Sequence, residues 1–181
     1  MAVSDQEHRV VVVGAGPAGL ATSHELARRQ IDHVVLERGA TPGHSWATLY
    51  DSLILHTGKH LSALPGMSFP RSTPLFPSRA QFLEYLARYA AEFRLPVQTG
   101  ADVTTVVRAS GAGWMVHTRG ASLHTRALVV ATGIVSNPCA AVIPGRGSFA
   151  GRVIHSRDYR RPDEFVRNCW LLRRGCPRRI R

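Results

Sequence analysis

The stretch Arg9–Leu20, R-V-V-V-V-G-A-G-P-A-G-L, decides the fold of this chain. Its four consecutive valines form the short apolar run that is typical of a buried parallel strand. Three glycines follow at the G-x-G-x-x-G spacing. Gly14 permits a tight turn, Gly16 lets a pyrophosphate approach the backbone, and Gly19 lets the next helix pack closely. The motif predicts a strand, a phosphate-binding turn and a helix.

The residues after the glycines predict a βαβ unit. Pro17 has a fixed φ and no N–H, which suits the first turn of a helix that we expect to continue to about Arg29. Ile31–Glu37 then has the pattern of a second strand, and its final acid lies 23 residues after Gly14. An acid at that place in a dinucleotide-binding fold binds the adenosine ribose. Arg38, the next residue, is either a contact of the adenosine phosphate region or a solvated side chain.

Weaker patterns predict the rest of an α/β domain. Ser78 is a candidate N-cap for a helix over 79–93, where apolar residues recur at helical spacing. Three short strands at 103–108, 114–118 and 122–126 predict a small β-meander, and 127–131 predicts another buried strand. Gly and Pro predict a loop from Arg38 to Trp46, and Ser52–His56 is a candidate short strand in the irregular segment after it.

Composition narrows the classes of protein to which the chain could belong. Its 181 residues are 44% hydrophobic and 19% charged, which suits one soluble globular core. No apolar run approaches a membrane span, and three cysteines form no C-x-x-C pair, so we expect a cytoplasmic protein. Arginine supplies 22 of the 23 cations behind the net charge of +11, a bias typical of a GC-rich coding sequence. This arginine bias does not favour a nucleic-acid partner. The histidines show no metal-ligand spacing.

Four blocks of the sequence point to a known family. They are G-A-G-P-A-G-L with Glu37, P-G-H-S-W at Pro42–Trp46, V-V-A-T-G at Val129–Gly133, and F-A-G-R-V-I-H-S-R-D-Y at Phe149–Tyr159. Over about residues 8–166 the chain resembles the N-terminal part of flavin-containing, NADPH-using monooxygenases, which include the plant YUCCA enzymes and a bacterial group of flavoproteins. The last block fits their signature, F-x-G-x-x-x-H-x-x-x-Y, and its tyrosine favours this class over Baeyer–Villiger relatives.

The resemblance implies a Rossmann-like FAD-binding domain. In this family NADPH reduces FAD, oxygen adds to the reduced flavin, and the peroxyflavin oxygenates a small organic substrate. The residues of the sequence themselves give no reason to expect a nucleic-acid, membrane or metal partner. The residues that we expect at the cofactor are Gly14, Gly16, Pro17, Ala18, Gly19, Glu37, Arg38, Ser45, Trp46, Val103, Ala131, Thr132 and Gly133.

Some residues of these blocks leave two roles open. His44 replaces the second glycine of the family's flavin-side G-G-x-W block. His56 stands where many relatives have asparagine near the flavin, although YUCCA-like enzymes also have histidine there. A neutral imidazole could donate a hydrogen bond to a flavin or peroxide oxygen, so His56 is the one catalytic candidate; a structural loop histidine is the alternative. Trp46 is either a flavin contact or a core residue. His155 of the signature has either a hinge or domain-contact role or a catalytic one.

The end of the sequence departs from the family. Relatives continue after the signature with a second glycine motif that binds NADPH, whereas none follows Phe165 here. We therefore expect a FAD-binding domain over 1–167, truncated before the NADPH site, and a disordered basic tail over 168–181. A shifted reading frame would explain the tail, and a real basic tail for an anionic partner is the alternative.

Three functional readings follow from the sequence. In the first, the chain is part of a monooxygenase and is inactive by itself because its NADPH site is absent. In the second, it is a non-catalytic FAD-binding fragment or a wholly unfolded truncation product. In the third, it is a dehydrogenase that binds only NAD; the V-V-A-T-G block and the signature count against this reading.

Overall fold

A computed structural model describes residues 6–139, 142–165, 170–173 and 176–179 of the chain. The chain divides into two compact units, one made of Met1–Ala47 and Ile54–Gly133 and the other of Thr48–Leu53 and Ile134–Arg181. The second unit combines the residues after Gly133 with the short segment Thr48–Leu53. A domain boundary at residue 167 stays a prediction.

The first unit is organised around a six-stranded mixed sheet with the strand order β3-β2-β1-β6-β5-β4. Its strands are β1 (Gln6–Val13), β2 (His33–Glu37), β3 (Val97–Thr99), β4 (Val103–Arg108), β5 (Trp114–Thr118) and β6 (Ser122–Val130). Its helices are α1 (Pro17–Arg28), α2 (His44–Ala47), α3 (Lys59–Ser62) and α4 (Arg79–Glu92). The central strand β1 pairs in parallel with β2 on one side and with β6 on the other, which confirms the predicted βαβ unit.

Strand β6 joins the parallel sheet and the meander into one sheet. The sequence predicts two strands, at 122–126 and 127–131, but the structure has one strand of nine residues. No glycine or proline interrupts it, and the buried Thr125 hydroxyl donates a hydrogen bond to the Ala127 carbonyl within the strand. Because β6 also pairs antiparallel with β5, the meander is a continuation of the sheet rather than a separate layer. Side chains from both parts meet in one core cluster: Val11, Val34, Leu36, Val116 and Leu123.

Helix α4 begins and packs as the sequence predicts. Ser78 caps it with a capping box, in which the Ser78 hydroxyl accepts from the Gln81 N–H and the Gln81 side chain accepts from the Ser78 N–H. Tyr85 and Tyr89 are buried on its inner face. The Tyr85 hydroxyl accepts from the Leu64 N–H at 2.7 Å and donates to the Met67 carbonyl at 2.6 Å. The Tyr89 hydroxyl donates to the Pro65 carbonyl at 2.7 Å.

The segment between α2 and α4 contains less regular structure than the candidate strand at Ser52–His56 suggested. A single antiparallel bridge joins Ile54 to Ser78, and beside it the Leu55 N–H donates to the Pro77 carbonyl at 2.9 Å. Lys59 organises the proline-rich part of the segment. Its ammonium lies 3.4, 3.0 and 2.6 Å from the carbonyl oxygens of residues 70, 71 and 73, respectively.

The second unit contains a three-stranded sheet with the order β7-β8-β9. The strands are β7 (Val153–His155), β8 (Trp170–Arg173) and β9 (Cys176–Arg179), and β8 pairs in parallel with β7. Strands β8 and β9 fall within the segment 168–181, and the W-L-L run at the start of β8 is apolar and strand-compatible. Asn168, where the tail was expected to begin, lies outside the described residues. Of the helices within the described ranges, none combines the length and hydropathy that a membrane span requires.

Candidate functional site

The candidate site lies where the carboxyl ends of β1, β2 and β6 meet. The Gly14 N–H donates to the Leu36 carbonyl at 2.8 Å, and the Ala131 N–H donates to the Val13 carbonyl at 2.9 Å. Gly14 has a φ of +103°, and a Cβ at this position would lie 2.5 Å from the Ala131 carbonyl oxygen. The turn after β1 therefore requires glycine both for its backbone conformation and for its contact with β6.

The other two glycines of the motif differ from each other. A Cβ on Gly19 would overlap the Gly14 carbonyl oxygen, so glycine here lets α1 pack against the turn. Gly16 is the N-cap of α1, with an extended backbone at φ −78° and ψ −174° and no side-chain cap. A Cβ on Gly16 would meet no heavy atom within 4 Å beyond its own neighbours in the chain. The surrounding protein thus gives a steric reason for Gly19 but not for Gly16.

Glu37 lies directly beside this turn, as the sequence predicts. The residue is 6% exposed, and its two carboxylate oxygens accept from the Ala15 N–H at 2.8 Å and from the Gly39 N–H at 2.9 Å. A carboxylate has about four lone-pair positions, so acceptor capacity remains after these two bonds. Glu37 thereby fixes the glycine turn and still can accept hydrogen bonds from a ligand. Sequence reasoning missed Ala15 and Gly39 as its partners, since they contribute only backbone groups.

The short helix α2 is docked on the same turn, where the sequence predicts only a loop. The Gly43 N–H donates to the Ala15 carbonyl at 2.9 Å, and the Trp46 N–H donates to the Gly43 carbonyl at 2.8 Å. His44 begins α2 and packs against Gly39, because a Cβ on Gly39 would overlap the His44 side chain. The substitution of this family glycine by His44 is accommodated by a glycine five residues earlier.

Ser45 and Trp46 of α2 are both half-buried. The Trp46 indole lies edge-on to Phe82 of α4, with 4.7 Å between ring centroids, so Trp46 contributes to packing. Ser45 precedes it in the same helical turn. The contact with Phe82 supports the core alternative for Trp46, and a contact with flavin stays a prediction.

The remaining predicted residues lie around the ends of β2, β4 and β6. The Ala101 N–H donates to the Glu37 carbonyl and the Gly100 N–H to the Gly39 carbonyl, both at 2.9 Å. Val103, two residues later, packs on the core cluster at the start of β4. At the end of β6, Ala131 is half-buried and is followed by the exposed Thr132 and Gly133, and Gly133 has a φ of +69°. Pro17 and Ala18 form the first turn of α1.

Arg38 and His56 are exposed as well. Arg38 follows Glu37 with its side chain largely in solvent. His56 is exposed after the buried Leu55, and within the described residues no hydrogen bond joins it to the glycine turn. The catalytic assignment of His56 therefore stays a prediction that depends on the resemblance. No cluster of three or more His, Cys, Asp or Glu side chains suited to a metal ion occurs in the described part of the chain.

Comparison with known proteins identifies similar sequences and structures over nearly the whole chain. The profile of the pyridine nucleotide-disulphide oxidoreductase family matches residues 11–169. The probable indole-3-pyruvate monooxygenase YUCCA1 of Arabidopsis thaliana is 37% identical over 169 residues, which cover 91% of this chain and 41% of that protein. The uncharacterized oxidoreductase CzcO of Bacillus subtilis is 31% identical, over 86% of this chain and 45% of that protein.

Solved structures agree with these sequence matches. A flavin-containing monooxygenase from Stenotrophomonas maltophilia superimposes with a TM-score of 0.82 at 34% identity, over 88% of this chain and 48% of that one. An S-allyl-L-cysteine S-oxygenase from Allium sativum gives a TM-score of 0.79 at 28% identity, over 88% of this chain and 44% of that one. The chain thus spans less than half the length of the relatives it matches.

Proposed function

Because the chain belongs to the pyridine nucleotide-disulphide oxidoreductase family and corresponds to the N-terminal, flavin-binding part of flavin monooxygenases, we propose that it binds FAD at the carboxyl ends of β1, β2 and β6. The enzyme to which this part belongs uses NADPH and O2 to oxygenate a small organic substrate. When it is bound, the flavin supplies the redox chemistry, and the residues of the chain bind it, orient it and exclude water.

The observation that carries this proposal is the difference among the three glycines. The structure itself needs Gly14 and Gly19, whereas Gly16 has an ordinary backbone conformation and open space around it. A pyrophosphate that approaches the backbone at the start of α1 would fill that space and would bind the free N–H groups of the first helical turn. Gly16 is therefore best explained by a ligand with a pyrophosphate.

Glu37 supports an adenine dinucleotide rather than a mononucleotide such as FMN. Its carboxylate is fixed by the Ala15 and Gly39 N–H groups at the same turn, so it can accept hydrogen bonds from ribose hydroxyls next to the pyrophosphate. NAD contains the same adenosine and pyrophosphate, so these two residues alone do not separate NAD from FAD. The flavin monooxygenases among the relatives favour FAD.

The cofactor can be identified directly. We expect the purified 181-residue chain, incubated with FAD and NAD together and then desalted, to release FAD when it is denatured and chromatographed. Gly16→Val should lower the retained FAD at least roughly tenfold, since the valine side chain fills the pyrophosphate position. Gly120→Val is the matched control, because Gly120 also has open space and no positive φ. Recovery of nicotinamide cofactor alone, or equal FAD retention by the two variants, would contradict the proposal.

A non-catalytic FAD-binding fragment is the alternative. The chain spans less than half the length of the relatives it matches, so its activity by itself needs a separate test. On this alternative the FAD-loaded chain oxidises NADPH no faster than free FAD does at the same concentration. Absorbance at 340 nm measures this rate, and rapid oxidation that depends on the protein would exclude the alternative.

A further inference from the structure

The signature segment of the second unit contains a turn that His155 closes with two different atoms. The Arg157 N–H donates to His155 Nδ1 at 3.1 Å, and the Asp158 N–H donates to the His155 carbonyl at 2.9 Å. The imidazole is half-buried at the end of β7. Its Nδ1 therefore acts on the turn as an asparagine or aspartate side-chain oxygen does when it accepts from the N–H two residues later.

This contact fixes the tautomer of His155. A ring nitrogen that accepts a hydrogen bond carries no proton, so the neutral imidazole has its proton on Nε2. The role of the side chain in the turn belongs to Nδ1. A catalytic or cofactor-binding role would instead belong to Nε2. The two roles of His155 that the sequence leaves open thus involve two different atoms.

The turn places the next two residues, Tyr159 and Arg160, in contact with the segment Thr48–Leu53. The Tyr159 ring lies with its centroid 6.2 Å from that of Tyr50 and 5.7 Å from that of Phe165. Arg160 holds the same segment through two hydrogen bonds. Its guanidinium donates to the Leu49 carbonyl at 2.8 Å, and its own carbonyl accepts from the Asp51 N–H at 3.0 Å.

We propose that His155 is a positioning residue, whose Nδ1 caps the turn so that Tyr159 and Arg160 hold Thr48–Leu53. The H-x-x-x-Y spacing of the signature then follows from geometry, since the turn occupies the three residues between histidine and tyrosine. The consequence for the cofactor rests on the proposed function. Thr48–Leu53 begins two residues after Trp46 and ends three residues before His56, so the turn orders the chain between two predicted flavin contacts.

Two substitutions of His155 separate the two atoms. In His155→Asn the amide oxygen replaces Nδ1, whereas in His155→Gln the amide group replaces Nε2. We expect the asparagine variant to bind FAD within about twofold of the wild type and to keep its flavin absorption spectrum. The glutamine variant should bind FAD roughly tenfold more weakly, as expected for the loss of one hydrogen bond in an ordered turn.

A second pair of variants tests the segment that the turn holds. Arg160→Met removes the guanidinium contact with Leu49 and should reproduce the effect of His155→Gln on FAD affinity and on the flavin spectrum. Arg161→Met is the matched control, because the ion pair of Arg161 with Asp51 is long, at 3.7 Å, and exposed.

Near-ultraviolet circular dichroism of the tyrosines, measured without FAD, separates a failure of this proposal from a failure of the proposed function. The Asn variant should keep the wild-type signal and the Gln variant should lose part of it, whether or not FAD binds. Rescue by glutamine alone would assign the role to Nε2 and overturn the proposal. Equal behaviour of the Asn and Gln variants would overturn it as well.

Discussion

The inner face of α4 and the carboxyl ends of β1, β2 and β6 both contain buried polar side chains, but they use these groups differently. On α4, the hydroxyls of Tyr85 and Tyr89 are bonded to main-chain groups of the segment between residues 64 and 67. At the strand ends, Glu37 is bonded to two N–H groups and still has free acceptor positions. The start of α1 has no side-chain cap.

This difference indicates which region is scaffold and which is site. Polar groups that satisfy one another inside the protein stabilise the fold, and their loss lowers stability. Polar groups with unused hydrogen-bonding positions contribute less to the stability of the fold and can bind a ligand. Substitutions on α4 should therefore change the free energy of unfolding, whereas a substitution at Gly16 should change binding. The following predictions test this distinction.

The largest effect is expected at Gly19, which with Gly14 is one of the two motif glycines that belong to the scaffold. Gly19→Ala places a methyl group on the Gly14 carbonyl oxygen, which neither the turn nor α1 can avoid without moving. We expect a loss of about 3 kcal/mol or more in the free energy of unfolding, measured by urea denaturation. Gly120→Ala, at an open position, should change stability little. Equal stability of the two variants would show that Gly19 is not needed for packing.

A smaller effect is expected at Tyr89, and it depends on pH. Burial raises the pKa of Tyr89 to about 12, with a smaller contribution from the neighbouring Tyr85. The unfolded chain releases this proton near pH 10, so the neutral hydroxyl stabilises the fold below pH 10 and this contribution is lost between pH 10 and 12. At pH 8, Tyr89→Phe should cost about 1 kcal/mol through the lost hydrogen bond to the Pro65 carbonyl.

Stability measured above pH 10 tests whether the raised pKa of Tyr89 contributes to the pH dependence of folding. Urea denaturation at several pH values should show a shallower loss of stability above pH 10 for Tyr89→Phe than for the wild type. Tyr85, whose pKa burial also raises, is present in both proteins and acts as the internal control. Identical alkaline slopes would mean that Tyr89 does not contribute to the pH dependence.

The smallest effect on folding is expected at Gly16, where the largest effect on binding is expected. Gly16→Ser supplies the N-cap hydroxyl that α1 lacks, so the free energy of unfolding should rise by about a few tenths of a kcal/mol. The same side chain occupies the pyrophosphate position, so FAD retention should fall. Opposite signs of the two changes would sharpen the distinction between scaffold and site, and a parallel loss of stability and binding would break it.

Local sequence patterns predict most of the first unit. The valine run and the three glycines predict β1 and α1, and the capping box at Ser78 predicts the start of α4. These features depend on neighbours in the sequence. The short strand β3 was not predicted, because it forms where the Val35 N–H donates to the Pro96 carbonyl and β2 continues the pairing. Such contacts between distant segments leave no local pattern.

The candidate site shows the same limit. The sequence places Glu37 beside the glycine turn, but the N–H groups of Ala15 and Gly39 that hold its carboxylate have no side-chain signature. The docking of α2 through Gly43 also depends on backbone atoms. The predicted strand 122–126 ends at Arg126, whereas the observed β6 continues through this residue with the arginine exposed. A strand of an open sheet can tolerate a charge at its solvent side.

The hydrogen bonds of Lys59 restrict which basic residue can occupy position 59. All other cations of the chain are arginine, so the composition by itself gives no reason for a lysine at residue 59. At residue 59, three carbonyl oxygens of one loop surround a single ammonium group. A planar guanidinium is a fork that suits carboxylates and cannot reproduce three converging donors at one nitrogen. Arginine at residue 59 would therefore leave some of these carbonyl oxygens without a donor. Lysine is required here by geometry, although every other cation of the chain is arginine.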